Sequence, residues 1–420
     1  MREQASDTGW DARYETRMVI LLSLSFGLVG LDRFIILPLF PLIMRDLQLD
    51  YQDLGNISAA LALTWGVSAL GMGCLVERLG AKRVLVVSVL AFSLLSGLSA
   101  LAGGVLGLIL LRGLMGFSEG AFTPTSISVT TQVSHPRRTG FNIGVQQAVF
   151  PILGLGLGPL IAAGLLAWLG SWRWVFISVS IPGFILAWWL QRTYRPVPAP
   201  LQAGQERPWR LWLAALGSGN VRRNIGIMFC ILTCQFVLCA LLPSYLTDHL
   251  GLSLEAMALV ISAIGFGGFV GQLIIPGLSD RFGRKPVVLL SFCASAALVA
   301  TLIVTPAEPW LLFGVLFFIT FFNFSLICLT VGPLTGESVA PHLLTVATGI
   351  VIGFGEILGG GLAPILAGYL ATHHGLPSIL YLALAGSLVG LCLALGLKEG
   401  RAQAPREATP PANAALLIRE

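Results

Sequence analysis

The sequence Pro276-Gly-Leu-Ser-Asp280-Arg281-Phe-Gly283-Arg284-Lys285 lies between two long apolar runs. An earlier stretch, Gly73-Cys-Leu-Val-Glu77-Arg78-Leu-Gly80-Ala-Lys82-Arg83, lies between two others. Both hold an acid followed by an arginine, then a glycine, then a basic end. Glu77 and Asp280 are 203 residues apart. A second mark repeats at nearly the same offset: Gly158-Pro159 and Ala363-Pro364, each within a glycine-rich apolar run, place their prolines 205 residues apart. Two independent features at matching offsets read as an internal duplication.

The repeated unit is built for lipid. Hydrophobic residues make up 55% of the chain and charged residues only 11%, and mean hydropathy is +0.85. A soluble domain carries about 25% charged residues. Runs of roughly 20 apolar residues, each able to cross a bilayer core, recur along the whole length. Twelve are expected, over about 18–44, 54–76, 84–104, 106–132, 140–168, 174–191, 225–247, 256–278, 286–305, 309–335, 344–372 and 377–397. The first is too long for the core of a signal peptide and lacks a cleavage site.

Basic residues set the expected topology. With the N-terminus in the cytoplasm, 21 of the 25 arginines and lysines fall in inside segments, and only Arg45 and Arg173 fall outside. This is a positive-inside pattern with both termini cytoplasmic, as in a bacterial inner membrane. It accounts for the net charge of +5, so no nucleic acid partner is needed. The one long polar connection, 192–224, divides the spans six and six. The expected organisation is a cytoplasmic segment 1–17, a six-helix bundle 18–191, a cytoplasmic linker 192–224, a second six-helix bundle 225–397 and a cytoplasmic tail 398–420. Within the linker, Trp209 to Leu213 read either as a short interfacial helix or as irregular chain.

Four charges break the apolar pattern. Asp32 and Arg33 lie near the middle of the first span, and Glu119 near the middle of the fourth. Arg112 is two helical turns from Glu119 on the same face. Charge at the centre of a span is costly and usually functional. Structural ion pairs, a proton relay with an anion site, and charges facing a water-filled vestibule are the open readings. The second has a mechanism. Burial favours a neutral acid and a nearby arginine favours a carboxylate, so the balance is adjustable. Protonating Asp32 or Glu119 would free Arg33 or Arg112, whose forked guanidinium matches a carboxylate. Proton and anion would then move together.

The two glycine-acid-arginine stretches resemble the loop signature of the major facilitator superfamily, and the resemblance spans nearly the whole chain. It implies an all-α membrane protein of 12 transmembrane helices in two pseudo-symmetric six-helix bundles, with the substrate site between them. It also implies that Gly73, Glu77, Arg78, Gly80, Asp280, Arg281, Gly283, Arg284 and Lys285 act as gating loops. Glu77 stands where the signature has aspartate, and Ala81 where it has arginine.

Asp32-Arg33 together with Arg112 and Glu119 resembles the anion:cation symporter branch, which carries sugar acids and other organic anions with protons. That resemblance carries over Asp32 and Glu119 as proton-coupling acids, and Arg33 and Arg112 as anion binders. The repeat offset, applied to the charges of the first half, lands near Gln235 and Asn323; these and Gln146 and Gln147 are candidates for binding cargo hydroxyls or for pairing helices. Glu356, within Gly353-Phe-Gly355-Glu356-Ile-Leu-Gly359-Gly-Gly361, departs from the branch. It reads as a third proton-coupling acid, a ligand for a cationic cargo group, or an acid paired with a neighbour.

Two rivals share the superfamily. Gly154-Leu-Gly-Leu-Gly158-Pro159 is similar to the motif of proton-driven drug exporters, although paired arginines do not suit a cation exporter. Aromatic-acid:proton symporters are the other. No enzyme site, phosphate loop or metal-ligand spacing is present in the sequence, so the coupling ion is expected to be the proton, with no cofactor. The seven cysteines read as packing residues. One chain supplies a whole pathway, so a monomer suffices.

Overall fold

A computed structural model describes residues 11–135, 138–195, 208–340 and 343–397. Side chains at 71–78, 140, 208–209 and 344–345 lie outside the described residues. The expected roles of Gly73, Glu77 and Arg78 as latch side chains therefore fall outside, as do residues 196–207 of the linker and the tail from 398.

Sixteen α-helices follow one another, with no strand among the described residues. A chain in lipid has no water to satisfy its backbone, so the helix is forced on every apolar run. The first half comprises α1 (Ala12–Phe34), α2 (Ile36–Leu47), α3 (Tyr51–Leu79), α4 (Ala81–Leu98), α5 (Val105–Val133), α6 (Thr139–Pro151), α7 (Gly158–Leu169) and α8 (Trp172–Thr193). After α9 (Pro208–Gly217) the second half comprises α10 (Gly219–Ser244), α11 (Leu254–Phe282), α12 (Arg284–Val304), α13 (Pro309–Leu329), α14 (Leu344–Gly355), α15 (Ala363–His374) and α16 (Ser378–Leu395). Eleven continuous stretches are long and apolar enough to span a membrane among the described residues. The 29-residue helix α3 fills the expected second span. The protein is an integral, multi-pass membrane protein with the twelve-helix plan.

Helix ends follow local chemistry. Asp11 accepts hydrogen bonds from the amides of Arg13 and Tyr14 and so starts α1 ahead of the expected 18. Ser171, Ser218 and Ser253 cap α8, α10 and α11 in the same manner. Ser218 accordingly starts the second half at Gly219, inside the stretch expected to be linker. Trp209 to Leu213 belong to the helix α9. The exterior is apolar: Trp168 is 80% exposed and Phe141 73%. Apolar surface of that extent is what lipid covers.

The duplication shows in backbone detail that composition does not reveal. The expected fifth span is α6 and α7 joined by a π-helical turn, Ile152–Leu157. The eleventh is α14 and α15 joined by another, Glu356–Leu362. Each turn ends just before the repeated proline, whose missing N–H and ring disturb the regular ladder. The first span also breaks, at Ile35, ahead of Pro38 and Pro41. At the π turn of the first half, the backbone of Gly156 lies against Gly265 of α11, so close that a Cβ at Gly265 would collide with backbone. The two halves touch there because neither residue has a side chain.

The loops that opened the sequence reading repeat in conformation too. Gly80 has φ 79° and ψ 139°, and Gly283 has φ 91° and ψ 150°. Each immediately precedes a helix, α4 or α12. That region is essentially restricted to glycine. Arg284 forms ion pairs with Asp280 at 2.5 Å and with Glu337 at 3.2 Å, and donates to Ser279. Gly80→Ala and Gly283→Ala should each destabilise the fold by about 1–3 kcal/mol. Gly277→Ala, in α11 with open space around it, should not. Thermal unfolding of the three purified variants checks this.

Candidate functional site

Five charged side chains meet inside the protein, where α1, α5 and the π turn Glu356–Leu362 converge. Arg33 closes α1, and Glu356 opens the π turn of the opposite half. Their side chains form an ion pair, Nη2 to Oε2, at 2.8 Å. Both residues are buried. Gly360 makes room for it, because a Cβ there would fall 2.8 Å from Glu356 Oε2. Three aromatic rings surround the guanidinium: Phe236 at 4.7 Å, and Phe34 and Trp65 each at 5.7 Å. Ring faces attract a cation, and more strongly away from water. Subtracting the repeat offset of 203 from Phe236 gives Arg33, so a cation and a ring occupy symmetry-related places and touch.

The pairings differ from those expected of the sequence. Asp32 does not serve Arg33. Its Oδ1 accepts a hydrogen bond from Ser96 of α4 at 2.8 Å, and its Oδ2 has no partner among the described residues. Arg112 donates through Nη1 to the backbone carbonyls of Asp32, at 2.8 Å, and Arg33, at 3.1 Å. Those carbonyls precede the break in the first span, so Arg112 braces the bend that presents Arg33. Its Nε and Nη2 keep unused donors. Glu119 is fully buried, and neither of its oxygens has a hydrogen-bond partner among the described residues. Arg33, Asp32, Arg112 and Glu356 all lie near enough to act on it electrostatically. The cluster thus holds three acids and two arginines.

The four neutral candidates divide. Gln235 is buried with its Oε1 unpartnered. Asn323 donates weakly to the carbonyl of Ile231 at 3.4 Å and leaves Oδ1 free. Both are buried. Gln146 spends its amide on Thr130 at 2.6 Å and Ser126 at 2.8 Å, which ties α6 to α5. Gln147 is half-buried on α6. Sequence reasoning missed Trp65, Phe34, Phe236 and Ser96. The repeat offset had selected the turn of helix that holds Phe236, but pointed to its neighbour Gln235. It also missed Glu15, placed by sequence in a polar leader. Glu15 is buried and accepts from Asn142 at 2.7 Å and the amide of His135 at 3.0 Å.

A cavity of about 30 Å³ adjoins the ion pair, lined by both arginines, Ser58 and apolar side chains of α1, α2, α3 and α10. It has room for water but not for an organic acid. Beyond it, on the face opposite the chain termini, the halves are clasped. Asp248 of α10's extension meets Arg45 at 3.5 Å and Tyr51 Oη at 3.1 Å, and Gln52 reaches the carbonyl of Ile365 at 3.2 Å. The site is therefore closed on that side.

A family model described as Major Facilitator Superfamily matches residues 22–357 and 225–419. The chain is 28% identical over 354 residues to the "Probable 4-methylmuconolactone transporter" of Cupriavidus pinatubonensis, covering 78% of this chain and 81% of that protein. It is 27% identical over 408 residues to the hexuronate transporter of Bacillus subtilis, covering 90% and 93%. In solved structures, a bacterial homologue of the human lysosomal transporter Spinster, inward-facing and unoccupied, superposes with a TM-score of 0.76 at 16% identity, over 91% of this chain and 97% of that one. These relatives are transporters, not enzymes. With the family model matching most of its length and the twelve-helix plan in place, the chain belongs to the Major Facilitator Superfamily.

Proposed function

We propose that this protein is a secondary active transporter that carries a small organic anion, a sugar acid or other carboxylate, together with protons by alternating access. The observation that carries this reading is the buried Arg33–Glu356 ion pair, which joins the two halves at 2.8 Å. The hexuronate transporter and the gallate transporter of Pseudomonas putida, 25% identical over 327 residues, support an organic acid as cargo. The positive-inside pattern supports both termini in the cytoplasm and an inner-membrane location.

In this reading Glu356 occupies the place of the cargo. An arginine is always charged, and once buried it needs an anion beside it. Glu356 supplies that anion when the site is empty of cargo. A proton on Glu356 releases Arg33, and the carboxylate of the cargo replaces it. Glu119 accepts no hydrogen bond among the described residues, and its position among the other four groups suits a proton donor to Glu356. Arg112 adds its unused N–H groups to the incoming carboxylate. No cofactor enters the cycle; the proton is the coupling ion. A monomer contains every part.

Competition between Glu356 and cargo fixes the sign of the pH dependence. Protonation favours anion binding, so affinity should tighten as pH falls. Glu356→Gln removes the competitor. It should bind the anion about tenfold more tightly at neutral pH and lose most of the pH dependence. Calorimetric titration of both proteins across a pH series reads this, and a pH profile unchanged by the substitution would remove Glu356 from the cycle. Glu119→Gln should abolish accumulation driven by a proton gradient while preserving anion exchange, as measured in proteoliposomes. Full accumulation by that variant would exclude Glu119 from coupling.

A further inference from the structure

Which carboxylate the site takes can be read from what surrounds it. We propose that the cargo is a planar, sparsely hydroxylated carboxylate, an aromatic acid rather than a polyhydroxy sugar acid. This rests on the anion-symport reading above and narrows it. Of the eleven residues lining the cavity beside the ion pair, only Arg33, Arg112 and Ser58 are polar. The two arginines are accounted for by one carboxylate. Ser58 Oγ, buried and without a partner among the described residues, would satisfy one ring substituent. A sugar acid brings a hydroxyl on nearly every carbon. Each one buried here without a partner would weaken binding. Gln235 and Asn323 could serve such hydroxyls, but they do not line this cavity.

The apolar lining has the shape for a ring. Phe34 of the first half and Phe236 of the second lie 6.3 Å apart, with their planes within 29° of parallel. A planar guest between two rings needs about 7 Å, two van der Waals contacts of about 3.5 Å each. A small separation of the halves would therefore turn this pair into a slot with Arg33 at its edge, since the guanidinium already lies against both rings. A planar aromatic ring presents two flat apolar faces to such a slot, whereas a sugar ring presents hydroxyls together with its C–H groups. The same slot would open and close with the halves, because one wall belongs to each.

The test compares 4-hydroxybenzoate with galacturonate on the purified full-length protein. Binding is read by calorimetry, and proton entry into proteoliposomes by a trapped pH dye. The expected result is affinity for 4-hydroxybenzoate at least tenfold higher than for galacturonate. Phe236→Leu, which keeps apolar volume but removes a ring face, should lower that affinity about fivefold and lower the affinity for propionate, which has no ring to stack, by less. Equal or tighter binding of galacturonate would overturn the substrate class, and its driving proton entry would leave the symport reading intact. Binding of 4-hydroxybenzoate without proton movement would uphold the class and refute proton coupling. Absence of binding by 4-hydroxybenzoate would overturn the class whatever the variants do.

Discussion

A guanidinium held at the middle of a membrane protein cannot shed its charge, and the arrangement of this molecule follows from that constraint. Arg33 lies buried at the end of α1 and takes its counter-ion from the other half, Glu356. The rest of the centre supports this pair. Arg112 braces the carbonyls of Asp32 and Arg33, which fixes the bend of the first span. Ser96 holds Asp32 aside, so that Asp32 does not compete for Arg33. Gly360 leaves space for the carboxylate. Removing one partner of a buried ion pair costs more than removing both, because the survivor is left unpaired. In the proposed cycle the same asymmetry makes transport possible: Arg33 releases Glu356 only when another anion takes its place.

The repeat explains how such a centre can move. The π turns Ile152–Leu157 and Glu356–Leu362 each lie beside a repeated proline, and both fall where the halves meet. A π turn loosens the regular ladder without breaking the helix, so a span can bend there while staying hydrogen-bonded. Gly156 against Gly265 brings the halves into backbone contact near one of these turns. The clasp formed by Arg45, Tyr51 and Asp248 closes the face opposite the termini. In the proposed cycle a rocking motion would open that clasp and separate Phe34 from Phe236 in the same step, since each pair has one member on each half.

Much of this was legible in the sequence, and what was not has a physical cause. Span positions follow from composition alone, because lipid imposes one solution on an apolar run. The two signature loops were visible in the sequence and set the repeat offset, and Gly80 and Gly283 share one backbone conformation in the structure. Asp32, Arg33, Arg112 and Glu119 do gather in one cluster. Their partners could not be read, because the decisive contact joins residues 323 positions apart, and helical periodicity carries no information across that distance. Glu356 was visible as a departure but its partner was not. Gln146 shows the opposite limit: an amide in a span looks the same in sequence whether it awaits cargo or, as here, bonds to Thr130 and Ser126.

The exchange of one carboxylate for another at Arg33 is the central claim, and proton uptake on anion binding tests it most directly. Purified protein in weakly buffered solution at neutral pH, titrated with an anion that it binds, should take up a proton for each anion bound. The same titration of Glu356→Gln should bind the anion with little or no uptake. Anion binding without proton uptake by the unmodified protein, or uptake undiminished in Glu356→Gln, would contradict the account.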